Sequence, residues 1–143
     1  MKIAIVGSRN IPNNVWERKT IRDFIFSKIN VKDIDCVISG GALGVDKLAY
    51  EFYKSEEIFE YKEYNPRWKF YGNHTGAYIR NKKIVEESDI IFIFWSGLET
   101  SKGSKMDIRL CKEMNKKHYI YNYKEEKEKN EEQQSLPRRK AKI

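Results

Sequence analysis

Short apolar runs alternate with amphipathic stretches through the first 121 residues. Lys2-Ile-Ala-Ile-Val6 reads as a buried strand that ends at Gly7-Ser8-Arg9. After Pro12-Asn13-Asn14 the spacing becomes helical: Asn14 is the predicted cap, Glu17 stands three residues on as in a capping box, and Ile21, Phe24, Ile25 and Ile29 share a face. Asp35-Cys-Val-Ile38 is a second strand, broken at Ser39-Gly40-Gly41-Ala42-Leu43-Gly44. Val45, Leu48, Ala49 and Phe52 then keep the i, i+3, i+4, i+7 rhythm of a second helix.

A third strand fits Ile58 to Glu63, followed by an irregular segment from Tyr64 to Gly72. A third helix is predicted over Gly76 to Glu87, with Ala77, Ile84 and Val85 inward. Asp89-Ile-Ile-Phe-Ile-Phe94 is continuous and apolar, the pattern of a strand buried on both faces. It stops at Trp95-Ser96-Gly97. A fourth helix follows with Met106, Leu110 and Met114 on one side, and His118-Tyr-Ile-Tyr121 is a fifth strand. Five strands alternating with four helices predict a single Rossmann-like three-layer α/β domain over residues 1–123, its parallel sheet in the order 3-2-1-4-5 with helices on both faces.

From Lys124 the apolar pattern stops. Lys124 to Gln134 is charged or amide throughout, and the chain ends Arg138-Arg-Lys-Ala-Lys-Ile143. Residues 124–143 are therefore expected to be a tail, either a solvated helical extension or a nucleic-acid contact through the basic end. The whole chain carries 28 Lys and Arg against 21 Asp and Glu, a net charge of +7, which favours anionic partners without choosing among them. Hydrophobic residues make up 40% and aromatics 13%, enough for one packed core and too much for a disordered chain. No apolar run approaches a membrane span and the start lacks a signal-peptide layout, so the expectation is a cytosolic protein without membrane partners. Cys36 and Cys111 make no disulfide framework, His74 and His118 are isolated, and neither metal nor cofactor is expected.

Ligands of open parallel sheets bind beyond the carboxyl ends of the strands, where strand order reverses. Gly7-Ser8-Arg9, Ser39-Gly40-Gly41 and Trp95-Ser96-Gly97 end neighbouring strands in the predicted order. Two of these turns lead into helix starts, near Gly44 and near Gly103-Ser104, where unpaired N–H groups and the helix dipole favour an anion. Glycines that only make tight turns are the plainer alternative, since neither the dinucleotide G-x-G-x-x-G nor a Walker A motif is present. Arg80 is a candidate phosphate or carboxylate clamp, with Asn81 beside it, and Asp107 a candidate general acid, base or ribose contact, with Asp46 as a second acid. An ordinary surface ion pair for Arg80 and a helix-dipole partner for Asp107 are the structural alternatives. Trp68, Phe70, Tyr71 and Trp95 either stack on a base or pack a long loop.

Val6-Gly-Ser-Arg9, Ser39-Gly-Gly-Ala-Leu-Gly-Val-Asp46, Pro66-Arg-Trp68 with Tyr71-Gly72, Gly76 to Asn81 and Ser88-Asp89 occur in an order and spacing that resembles the YspA-like branch of the SLOG superfamily, over roughly residues 2–121. The resemblance implies a Rossmann-like fold with a nucleotide or nucleotide-derived ligand at the crevice, and commonly a homodimer. Lonely-guy phosphoribohydrolases of that superfamily cleave the N-glycosidic bond of nucleoside monophosphates. Arg80 is similar to their arginine, and Gly103-Ser104-Lys-Met-Asp107 resembles the end of their P-G-G-x-G-T-x-x-E pattern. Trp95-Ser96-Gly97 stands in place of P-G-G, and Asp107 in place of the glutamate. Other relatives sense or sequester signalling nucleotides, as in a phage counter-defence protein, and the DNA-processing protein A family binds single-stranded DNA. The implied ligand contacts are Gly7, Ser8, Arg9, Gly40, Gly41, Gly44, Asp46, Trp68, Arg80, Asn81, Trp95, Ser96, Gly97, Gly103 and Ser104, with Arg80 and Asp107 as catalytic candidates.

Overall fold

Among the described residues, five strands and five α-helices follow one another as β1 (Lys2–Gly7), α1 (Val15–Phe26), β2 (Cys36–Ser39), α2 (Val45–Ser55), β3 (Glu60–Glu63), α3 (Trp68–Glu87), β4 (Ile90–Trp95), α4 (Lys102–Glu113), β5 (Lys117–Asn122) and α5 (Tyr123–Ser135). The structure, a computed structural model, describes residues 1–41, 43–97 and 102–135. The basic end expected at 138–142 lies outside the described residues, as does the side chain of Trp68.

The sheet is wholly parallel, in the order β3-β2-β1-β4-β5. The alternation of side chains along a strand divides the core in two. Ile3 and Ile5 of β1 and Phe92 and Phe94 of β4 join Ile21 and Ile25 of α1 and Leu48 and Phe52 of α2. Ala4, Val6, Ile91 and Ile93 turn the other way, onto Ile84 and Val85 of α3 and Leu110 and Cys111 of α4. This two-sided burial explains the unbroken apolar run of β4, and it is what right-handed crossovers on opposite faces produce.

The Asn14 side chain caps α1, accepting from Glu17 N at 2.9 Å. Glu17 does not complete a reciprocal box: its Oε2 is buried without a hydrogen-bond partner and its carboxylate lies beside Tyr123, whose hydroxyl is pushed up by burial and by Glu17. The larger departure from the expected elements is α3. It starts at Trp68, eight residues before the expected Gly76, and contains one non-helical residue, Gly72, at φ 75° and ψ 177°. A glycine takes that left-handed backbone at no steric cost, so the helix breaks and resumes where the spacing of apolar residues alone shows only irregular chain. The tail begins as helix α5 directly after β5. Its lysines and glutamates pair along the helix, Lys129–Glu126 at 3.4 Å and Lys127–Glu131 at 4.0 Å, as on a solvated surface. Among the described residues, no helix is long and apolar enough to cross a membrane.

Candidate functional site

Strand order reverses between β1 and β4, and there the two strand ends are tied together by one side chain. Ser8, 5% exposed, donates its N–H to Phe94 O at 3.0 Å. Its Oγ accepts from Ser96 N at 3.0 Å and lies 3.3 Å from Ser104 Oγ near the start of α4. Its carbonyl accepts from Val45 N, the first residue of α2, at 3.3 Å. The ends of β1 and β4 and the beginnings of α2 and α4 therefore meet around a single serine.

The glycines serve different ends. Gly7 is a packing requirement: a Cβ there would lie 2.2 Å from Phe94 O and 2.9 Å from Val45 Cγ2. Gly44, at φ 73°, lets the start of α2 lie against the β1 turn, where a Cβ would meet Ser8 O and Arg9 O, each at 2.5 Å. Gly44 gives α2 no side-chain cap. Gly97, at φ 82°, has its Cα face turned to Asn122 at the end of β5 and Lys124 at the start of α5. Among the described residues, nothing lies within 4 Å of a Cβ on Gly103. Arg9 is exposed on the rim. Ser39 was not among the expected contacts, yet it is fully buried and holds the β2 turn: its Oγ accepts from Gly41 N at 3.2 Å and donates to Asp46 O at 3.3 Å. Its position immediately before two glycines was the available signal.

Arg80 comes from the middle of α3, which runs from the carboxyl edge of the sheet down to Glu87. Its Nη1 donates to Gly40 O at 2.9 Å and its Nε to Asn81 Oδ1 at 2.5 Å. Asn81 is 5% exposed, and its amide nitrogen donates to Met106 Sδ of α4 at 3.3 Å. Asn81 thus holds the arginine in place. A Cβ on Gly40 would lie 2.4 Å from Arg80 Nη1 and 3.0 Å from Asp46 Oδ2, which sets the guanidinium, Asp46 and the glycine turn side by side.

Asp46 and Asp107 are each 7% exposed. Burial pushes the Asp107 carboxyl up to about 8, Asp46 adds to the rise, and Arg80 opposes it. Among the described residues, the Asp107 carboxyl makes no hydrogen bond, and at neutral pH it carries a proton. Trp95, at the end of β4, is half-buried and packs against the α3–α4 side of the core, its indole Nε1 buried without a partner among the described residues. Among the described residues no group of three or more His, Cys, Asp or Glu could hold a metal ion. No protein-family model matches the chain, and no curated protein sequence matches it.

The arrangement can do three things. The first turn of α4, at Gly103 and Ser104, has the polarity that favours an anion, whereas at the start of α2 the Val45, Lys47 and Leu48 N–H groups are already donated to Ser8 O and Gly44 O. Arg80 keeps donors beyond the two it spends on Gly40 and Asn81, and these serve bidentate contact with a phosphate. Asp107, neutral at pH 7, is a hydrogen-bond donor or a general acid in a place where a carboxylate would be only an acceptor.

Proposed function

We propose that the chain binds a nucleotide or nucleotide-derived phosphorylated small molecule at the carboxyl edge of the sheet, between the ends of β1 and β4. One observation carries this reading: two buried acids and an oriented arginine adjoin glycine turns and two helix starts at the point where strand order reverses. Burial near Asp46 leaves the Asp107 carboxyl strongly perturbed, and such groups gather where a protein handles a ligand. The resemblance to the YspA-like branch of the SLOG superfamily supports the same place and the same ligand class.

Phosphate is received by the main chain at Gly40, Gly103 and Ser104 together with Arg80, and Asp46 faces the sugar. If the ligand is an N-glycoside, water adds to C1′ as the C1′–N bond breaks, the base leaves with the bonding electron pair and the Asp107 proton, and the attacking water gives its proton to Asp46. The departures of Trp95-Ser96-Gly97 and Asp107 from the Lonely-guy pattern favour a second outcome, in which the ligand is held unchanged, for sensing or sequestration. Incubation with nucleoside monophosphates followed by chromatography separates the two. Free base, lost in Asp107→Ala, marks hydrolysis, and intact ligand recovered after denaturation marks sequestration. No binding of any phosphorylated nucleoside removes the proposal in both forms.

A further inference from the structure

Of the aromatic residues that precede and open α3, neither Phe70 nor Tyr71 packs the loop. Phe70 is 77% exposed and Tyr71 47%, on a single helical turn, Trp68–Tyr71, that Gly72 separates from the rest of the helix. The chain on both sides of this turn is anchored, and in each case to the glycine turn after β2. Before it, Tyr64 N donates to Ser39 O at 2.9 Å, and a Cβ on Gly41 would lie 2.6 Å from Asn65 Oδ1. After it, Arg80 donates to Gly40 O at 2.9 Å, and Ile84 and Val85 are fixed in the core. Among the described residues nothing lies within 4 Å of a Cβ on Gly72, whose left-handed backbone turns the course of the chain. The aromatic turn is thus a short arm over the carboxyl edge, hinged at one glycine and tethered at both ends to the proposed phosphate cradle.

We infer that this turn is the base-binding part of the site, and that Phe70 and Tyr71 close on the flat heterocycle of a ligand whose phosphate is held at Arg80. The inference rests on the proposed function and narrows it to ligands that keep an aromatic base. The chemistry of the turn fits. Phe70 and Tyr71 lie 6.5 Å apart between ring centroids and tilted at 53°, and the Arg67 guanidinium stands 5.7 Å from the Phe70 ring, a cation already applied to one side of an aromatic surface. Gly72 breaks the helix between Phe70 and Arg80, and the tethers at Tyr64, Asn65 and Arg80 keep the aromatic turn beside the glycine turn after β2.

The test compares ligands with and without a base. Adenosine, guanosine, cytidine and uridine 5′-monophosphates and ribose 5-phosphate are titrated calorimetrically into the full chain and into Phe70→Ala/Tyr71→Ala, with Phe70→Leu as a second variant. The exposure of both residues predicts an unchanged melting temperature for the double variant, which verifies its fold. The expected result is a nucleoside monophosphate bound at least tenfold more tightly than ribose 5-phosphate by the wild type. The double variant loses that advantage, while ribose 5-phosphate binds within about twofold of wild type. Equal weakening of both ligands, or no weakening of either, overturns the inference and leaves the proposed function standing. Failure of every phosphorylated ligand to bind the wild type overturns both. A wild-type dimer that the double variant converts to monomer, with the base advantage retained, assigns the turn to a second copy of the chain and overturns the inference.

Discussion

Replacing Asp107 with asparagine puts a neutral amide where a protonated carboxyl stands at neutral pH, and so isolates the consequence of burying that acid. Its ordinary value is 3.8, and burial beside Asp46, opposed by Arg80, pushes it up to about 8. The native state therefore keeps a proton that the unfolded chain releases above about pH 4. Because the unfolded state binds fewer protons across this window, stability falls as pH rises, and it levels off above the native value. This is the reverse of the salt-bridged carboxylate, which stabilises at neutral pH and loses its contribution in acid. At ~1.4 kcal/mol for each tenfold change in proton affinity, the deficit by pH 7 is at most ~4 kcal/mol, and local relaxation reduces it toward ~2. Urea unfolding of wild type and Asp107→Asn, followed by fluorescence and circular dichroism between pH 4 and pH 8, measures it. The two proteins agree within about 1 kcal/mol at pH 4, and the variant becomes the more stable by ~2–4 kcal/mol at pH 8. A variant that is less stable by the same amount at every pH would refute the account, because it would mean an ionised Asp107 paired with Arg80.

Ser8→Ala removes a buried hydroxyl that receives Ser96 N and touches Ser104 Oγ; denaturant unfolding is expected to show a loss of ~1–3 kcal/mol. Gly44→Ala imposes a side chain at φ 73° within 2.5 Å of two carbonyl oxygens, and the expected outcome is a loss of more than ~2 kcal/mol or failure to fold, whereas Gly103→Ala, which meets nothing within 4 Å among the described residues, leaves the melting temperature nearly unchanged. Glu87, held below the usual carboxylate range by Lys62, which donates to it at 2.6 Å, stabilises at neutral pH; Glu87→Gln lowers the melting temperature at pH 7, and the difference from wild type closes as pH falls through the Glu87 titration. Deleting 124–143 is expected to leave nucleotide binding intact, and any salt-sensitive DNA binding that the deletion abolishes is assigned to the tail.

The layers of the fold were legible because burial leaves a period in the chain. Val45, Leu48, Ala49 and Phe52 mark the inner face of α2, and all four are buried; Ile90 to Phe94, without a polar residue, could only be a strand covered on both sides. The start of α3 was not legible, since Phe70 and Tyr71 stay exposed on its first turn and Gly72 reads as a breaker. At the carboxyl edge, residue types identified the turns but not the division of labour within them. Gly7 and Gly44 look alike in sequence, yet one fits against a strand and the other against a neighbouring turn. Asn81 was expected at the ligand, and its amide is occupied with Arg80 and Met106. Trp95, a candidate for stacking, is half-buried, on the same face of β4 as Ile91 and Ile93. Partner choice of this kind depends on tertiary approach, which no local pattern encodes.

The place where an anionic nucleoside ligand touches the chain decides whether the carboxyl edge is the site. Titration of nucleoside mono- and diphosphates into 15N-labelled protein, read by amide chemical shifts, locates that contact residue by residue. The predicted result is a saturable set of shifts at Gly40, Gly41, Gly44, Gly103 and Ser104, abolished by Arg80→Gln. Shifts confined to α5 or to the opposite edge of the sheet, or none with any phosphorylated nucleoside, would contradict it.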